Sequence, residues 1–162
     1  MKTFTTSYSL IKLRNNPMEF ARIISCACYG FKFRKCNVLD IYLILPLILY
    51  EAGIRNLKNA NVRSSIQSIY LRDNIVGIAG LQKRIDKLKQ KTIDSFILAI
   101  NIGLIEIEEE SFDLNVTSYG EKEVKRLKKD NKKFCNEAIN LGKILSKNDI
   151  KENYRLLGVK RI

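Results

Sequence analysis

The side chains best suited to metal binding or nucleophilic chemistry in this 162-residue chain are four cysteines, Cys26, Cys28, Cys36 and Cys135. Structural zinc sites use CxxC pairs, or cysteines and histidines together, at characteristic spacings. Cys26 and Cys28 instead form a CxC pair inside the apolar run ARIISCACYG, and the chain has no histidine. We therefore expect buried, reduced thiols that pack as small hydrophobic side chains, with no metal and no other cofactor.

Motifs for catalysis are missing from the sequence as well. Without histidine there is no His-based acid–base pair and no Ser-His-Asp triad. The patterns GxxxxGK[ST], GxGxxG and GxSxG do not occur, so the sequence offers neither a nucleotide cradle nor a hydrolase elbow. The acidic run from Glu106 to Asp113 has the spacing to hold Mg²⁺, but a solvated hairpin turn explains it better. The sequence predicts a protein that is not an enzyme.

Positive charge is the strongest feature of the composition. The formal net charge is +12, which raises encounter rates with nucleic acid, anionic lipid or an acidic protein surface. A composition bias of the coding genome is the alternative explanation. Lysines without interleaved aromatic residues suit phosphate contact without base reading. The candidate DNA-phosphate contacts are Lys125, Arg126, Lys128, Lys129, Lys132 and Lys133, with Lys83, Arg84 and Lys87 as a further group; a solvated basic face is the alternative.

Length and composition predict one globular domain of residues 15–162, preceded by a flexible N-terminus at residues 1–14. The N-terminal sequence has no apolar signal region. The most apolar stretch, Val38–Tyr50, has only ten uncharged residues between Asp40 and Glu51, whereas a membrane-spanning helix needs roughly 20. We therefore expect a cytoplasmic protein without membrane contact, in which Val38–Tyr50 is a buried core helix.

Helix signals dominate the first two thirds of the chain. Asn15 and Asn16 before Pro17 predict a helix from Pro17 to about Tyr29. A third helix is predicted from Asn61 to about Leu71, after the core helix. A fourth begins at Asp73 or Asn74 and continues to Gly103, which has the glycine expected just beyond a helix end.

A change of hydrophobic period marks the segment from Leu104 to Val116 as two short strands of a hairpin. Helix followed by hairpin is typical of a winged-helix domain, and the acidic hairpin tip would repel phosphate, so we expect this wing to face protein. A long helix is predicted after Gly120 and a short final helix from Ser146 to Leu157. The predicted fold is thus mainly α, a compact helical domain with one β-hairpin, winged-helix-like, followed by the long C-terminal helix and the short final helix.

The long helix carries apolar residues at alternating steps of three and four, which is the seam of a packed or coiled-coil helix. Two interpretations stay open, an apolar surface for a partner or internal core. The candidate partner-interface residues are Val124, Leu127, Phe134, Leu141 and Leu145.

Several ordered segments carry a family resemblance. They are Asn15–Pro17, the LPLIL core at Leu45–Leu49, the segment TIDSFILAINIGLIEIEEE at Thr92–Glu110, and a tail with Leu141-Gly142 and Leu156–Val159. Together they make the chain similar to the small middle component of bacterial ABC-three-component systems, related to the Lamassu anti-phage defence systems. The likeness spans residues 15–161, although this chain is more basic than expected for the family.

This resemblance implies a non-catalytic adaptor subunit of a hetero-oligomeric anti-phage defence complex. Its partners would be an SMC/Rad50-like ABC ATPase and an effector, often a nuclease, and those partners would hydrolyse ATP and cut DNA. The adaptor would bridge them, restrain the effector and help release it when foreign DNA is sensed, with no small-molecule substrate of its own.

The competing interpretation is a stand-alone winged-helix DNA-binding transcriptional regulator. Such a regulator needs a recognition helix whose polar side chains reach base edges. The best candidate is the predicted helix Asn61–Leu71, which would offer Arg63, Ser64 and Gln67. The neighbouring genes would separate the two interpretations, because only a defence adaptor is expected beside an effector gene and a large ATPase gene.

Overall fold

The computed structural model describes residues 16–72 and 74–162, so the predicted flexible segment at residues 1–14 lies outside the described part. Helices dominate the described residues, with one small antiparallel sheet, which confirms the predicted fold class. The α-helices are α1 (Pro17–Gly30), α2 (Ile41–Ile48), α3 (Glu51–Ile54), α4 (Leu81–Asn101), α5 (Ser118–Lys129), α6 (Cys135–Leu145) and α7 (Ile150–Leu156). The other elements are 3-10 helices at Val38–Asp40 and Ile75–Gly77, a π-helix at Gln67–Arg72, and strands β1 (Cys36–Asn37), β2 (Ile105–Ile107) and β3 (Asp113–Val116).

Local capping fixes the start of α1 where the sequence predicted it. The side-chain oxygen of Asn16 accepts hydrogen bonds from the backbone N–H groups of Met18 (3.1 Å) and Glu19 (3.4 Å). Pro17 occupies the first turn, where its missing N–H would have had no helical partner. Asn15, the other half of the predicted start signal, lies outside the described residues.

Two glycines let α1 and α6 cross at backbone contact. A Cβ atom added to Gly142 would lie 2.0 Å from the carbonyl oxygen of Ala27, and one added to Gly30 would lie 2.1 Å from the carbonyl oxygen of Ile139. Real Cβ atoms do not approach other atoms this closely, so only glycine fits at either position. The crossing therefore depends on the sequence at both helices.

The apolar α2 lies within the core, as predicted for a buried helix. Its side chains Ile41, Leu43, Ile44, Leu45 and Leu47 are at most 1% exposed. No helix in the described part of the chain is both long enough and apolar enough to cross a membrane.

A buried ion pair fixes the chain between α1 and α2. Asp40 is fully buried, and its two carboxylate oxygens accept hydrogen bonds from the guanidinium of Arg34 at 2.7 and 2.8 Å. The same guanidinium donates to the backbone oxygen of Asn148 (2.7 Å), beyond the end of α6. Bidentate pairing of this kind holds both position and orientation, so the loop after α1 is tied to the start of α2 and to the end of α6.

The predicted hairpin is present and gains a third strand. Strands β2 and β3 pair antiparallel with Ile105 opposite Val116 and Ile107 opposite Leu114. On the other side of β3, Cys36 of β1 stands opposite Leu114, which gives the strand order β1-β3-β2. A two-residue strand is too short to show any periodicity, so the sequence did not predict β1.

The predicted helix from Asn61 to Leu71 is wrong over its first half. The backbone N–H of Asn61 donates to the Ser64 hydroxyl, and the Asn61 side chain accepts from the Arg63 N–H, both at 2.9 Å. Such local side-chain bonds compete with helix formation. The fourth helix likewise begins later than predicted, at Leu81, because Gly80 adopts a left-handed φ of 68° that interrupts the helical path.

The long helix predicted after Gly120 is two helices, α5 and α6. Between them Asn131 and Phe134 adopt left-handed backbone conformations, with φ of 48° and 71°. An α-helix cannot continue through such residues, and the reversal lets the Phe134 side chain turn into the core, where it is 6% exposed. The break directs α6 onto α1 at the glycine crossing.

Substitution of Gly142 by alanine tests this crossing. Helix propensity and the contact with α1 change the free energy of unfolding in opposite directions. Helix propensity alone predicts that alanine stabilises the protein by about 1 kcal/mol. The contact with Ala27 predicts instead a loss of about 1–3 kcal/mol in the free energy of unfolding, measured by urea denaturation. The neighbouring Lys143→Ala variant serves as control and should stay within about 0.5 kcal/mol of the unsubstituted protein. A stabilised Gly142→Ala variant would contradict the backbone contact.

Candidate functional site

All four cysteines are buried free thiols, as predicted. They face one another in pairs, with 3.3 Å between the sulfurs of Cys26 and Cys135 and 3.4 Å between those of Cys28 and Cys36. These separations exceed the roughly 2.05 Å of a disulfide bond. Burial and the hydrogen bond with Cys28 raise the pKa of Cys36, which keeps this thiol protonated and unreactive at neutral pH.

The acidic run of the sequence forms the tip of the β2–β3 hairpin. Lys35 forms an ion pair with Glu108 at 3.0 Å, and the Ser111 hydroxyl donates to the same carboxylate. The hydrogen bonds from Lys35 and Ser111 lower the pKa of Glu108. Within the described residues no group of three or more potential ligands is placed to hold a metal ion. Residues 106–112 are exposed, so the tip is an acidic surface.

Most cations of α5 and of the turn after it fall into two groups. Arg126 is paired with Glu123 (2.6 Å) and Asp130 (3.5 Å), and Lys125 lies 3.7 Å from Glu121. These are local pairs along one helix and its end, so much of their charge is compensated. The second group is exposed at the end of α5 and in the following turn, and has no carboxylate partner among the described residues: Lys128, Lys129, Lys132 and Lys133.

Two further lysines lie near this second group, where α1 and α6 cross. Burial lowers the pKa of Lys143 on α6, and the positive charges of Lys32 and Lys128 lower it further. Lys32 follows α1 by two residues, and Lys143 directly follows Gly142, so the crossing of α1 and α6 brings them near one another. No local pattern predicts this proximity, because Lys32 and Lys143 are more than a hundred residues apart. We call Lys128, Lys129, Lys132 and Lys133 the basic face.

Arg84 has a structural position that the sequence did not predict. Its guanidinium donates to the backbone oxygens of Pro46 (3.1 Å), Gly77 (2.9 Å) and Ala79, and it stacks 3.9 Å from the centre of the Tyr50 ring. Each of its nitrogens thus has a backbone carbonyl partner. Arg84 is engaged inside the protein and is left out of the basic face, whereas Lys83 and Lys87 are exposed on α4.

The candidate partner-interface residues are core residues, so their prediction as a partner surface was wrong. Their side chains contact other elements of the same domain and are at most 6% exposed. In this conformation they are not available to a partner. The open alternative, an internal seam, is what the structure shows for Val124, Leu127, Phe134, Leu141 and Leu145.

Comparison with known families gives a match that covers nearly the whole chain. Residues 6–161 match the family model described as ABC-three component (ABC-3C) system Middle Component 3. No curated protein and no solved structure matches the chain.

Arg84 and its neighbour Lys83 provide a matched test of structural against surface cations. Arg84→Met removes charged hydrogen bonds to three carbonyl groups and should lower the free energy of unfolding by roughly 2 kcal/mol or more. Lys83→Met removes the same charge from an exposed site and should change it by less than about 0.5 kcal/mol. Equal effects in urea denaturation would contradict the structural assignment of Arg84.

Proposed function

We propose that this chain, which belongs to the ABC-three component system Middle Component 3 family, is the non-catalytic adaptor of an anti-phage defence complex of the Lamassu type. It bridges an SMC/Rad50-like ABC ATPase and an effector, often a nuclease. It restrains the effector and contributes to its release when foreign DNA is sensed. The observation that carries the proposal is the family match over residues 6–161.

The chemistry of the chain supports an adaptor that leaves catalysis to its partners. Its sequence has no histidine and no nucleotide-cradling motif. The four thiols are buried and paired with each other, which keeps them from substrate. ATP hydrolysis and DNA cleavage are therefore assigned to the ATPase and the effector.

The order of elements supports a winged-helix-like arrangement. Strand β1 follows the first helix, further helices come next, and α4 leads directly into the β2–β3 hairpin. The hairpin is the wing of this arrangement, and its acidic tip makes phosphate contact unfavourable. A wing of this charge suits contact with protein.

The alternative of a stand-alone transcriptional regulator loses its main support. The segment proposed to read bases begins as a turn and becomes a π-helix at Gln67–Arg72. Ser64 is buried, and its backbone oxygen accepts a hydrogen bond from Lys147. Regulators of this class present a regular recognition helix to the major groove, which this segment does not provide.

The basic face is proposed to contact DNA phosphates within the complex. Its lysines are point charges without carboxylate partners among the described residues, and phosphate contacts by such groups carry no sequence information. Two of them, Lys128 and Lys129, also stabilise the C-terminal end of α5 through its dipole. We expect sequence-independent binding in which the ATPase supplies most of the surface.

The bridging role is tested by co-expressing the proposed ATPase and effector with and without the gene for this chain. We expect an affinity tag on the ATPase to recover the effector only when this chain is present. Recovery of the effector at an unchanged ratio without the chain would overturn the proposal.

Charge removal tests the DNA contact. The quadruple variant Lys128→Gln, Lys129→Gln, Lys132→Gln, Lys133→Gln should weaken DNA binding by the assembled complex. The slope of log affinity against log salt should fall by roughly 0.9 for each phosphate that the variant no longer neutralises.

A matched control carries the same charge change at exposed lysines elsewhere, Lys58, Lys89, Lys151 and Lys160. This control should keep the original salt slope. If the two quadruple variants bind DNA alike, the basic face is only a solvated surface.

A further inference from the structure

A cavity of about 260 Å³ lies between the loop at residues 57–64 and helix α6. Two side chains of the α6 region anchor this loop. Asn140 donates to the backbone oxygen of Leu57 at 3.0 Å, and the Lys147 ammonium donates to the backbone oxygens of Val62 and Ser64, both at 2.6 Å. The cavity opens between these anchors, so its walls are fixed before any ligand arrives.

The cavity has a strong excess of positive charge. Lys32, Lys143 and Lys147 line it, and none of its lining residues carries a carboxylate. Lys147 is held by carbonyl oxygens, which leave its formal charge uncompensated. The ammonium of Lys143 is partly desolvated and faces Lys32, and both effects lower its pKa. A carboxylate placed here would relieve this repulsion.

Two apolar side chains are held in solvent at the same cavity. Phe33 is 66% exposed and Val62 is 87% exposed. Neither lies in a loose segment, because Arg34 is tied to Asp40 beside Phe33 and the carbonyl of Val62 is bound by Lys147. Behind them the cavity wall includes the buried Ile144. Apolar groups held exposed around a concave site mark an interaction surface.

Charge and shape together select the occupant. DNA phosphates would neutralise the lysine charges. They would make no contact with the apolar side chains of the cavity wall. Residues 1–15 of this chain contain Lys2, Lys12 and Arg14 and no carboxylate, so they are repelled. The acidic hairpin tip of a second copy has suitable chemistry, but two chains of net charge +12 repel each other. A different protein satisfies all these constraints.

We propose that this cavity, which we call the lysine cavity, binds an acidic segment of a partner protein that inserts one bulky apolar side chain between Phe33 and Val62. This inference rests on the proposed function, and it specifies the face through which the adaptor holds one of its two partners. The acidic residues of the segment would pair with Lys32 and Lys143.

Site-specific photo-crosslinking identifies the occupant in the assembled complex. A photo-reactive phenylalanine analogue replaces Val62, whose exposure makes the substitution harmless to folding. We expect crosslinks to the ATPase or the effector at a peptide rich in Asp and Glu. Crosslinks to DNA, to a second copy of this chain, or to a neutral or basic peptide would overturn the proposal.

Charge reversal measures the contribution of the lysines. Lys32→Glu combined with Lys143→Glu should weaken capture of the crosslinked partner at least tenfold, and added salt should weaken capture by the unsubstituted chain. The control Lys89→Glu with Lys151→Glu makes the same charge change at exposed sites away from the cavity and should retain capture. Val62→Ser, which cannot disturb the core, should also weaken capture.

Melting temperatures of the variants show whether each one is folded. Equal capture by the cavity and control variants would refute the lysine cavity as a partner site, even if the gene-deletion experiment shows bridging. The gene-deletion experiment thus tests bridging, and the charge-reversal experiment tests binding at the cavity, so the two proposals can fail independently.

Discussion

The backbone contact between α1 and α6 is the constraint on which most of the structure depends. Gly142 lies against Ala27 and Gly30 lies against Ile139, and each contact leaves no room for a Cβ atom. These contacts fix the position of α1 relative to α6. They therefore also fix the positions of the residues that directly follow each glycine. The loop after α1 and the second half of α6 meet there, and they provide the lysines on one side of the cavity.

Several cationic side chains of this protein bind backbone oxygens. One of them, Arg34, binds a carboxylate as well. Arg84 binds three backbone carbonyl groups, Lys147 holds the loop at residues 57–64, and Arg34 connects Asp40 with the chain beyond α6. Irregular segments leave carbonyl groups without partners, and a long cationic side chain satisfies several of them at once. Part of the excess positive charge therefore has a structural use.

Local signals in the sequence predicted local structure well. The Asn16-Pro17 start predicted α1, and the change of period after Gly103 predicted the hairpin. The apolar seam of the predicted long helix marked residues that are buried. It could not predict that the chain reverses at Asn131 and Phe134, because the spacing of apolar residues does not depend on the backbone conformation between them. Lys32 and Lys143 were missed as a pair, since only the crossing of distant helices brings them together. Function was predicted from a family resemblance and not from any catalytic pattern.

The central claim is that the preformed, positively charged lysine cavity holds an acidic segment of a partner protein. Amide hydrogen exchange tests it most directly, with the chain measured alone and in the complex with the ATPase and the effector. The account predicts slower exchange on assembly in residues 57–64 and 140–147, two of the segments that line the lysine cavity. Unchanged exchange in both segments, with protection found only elsewhere, would contradict it.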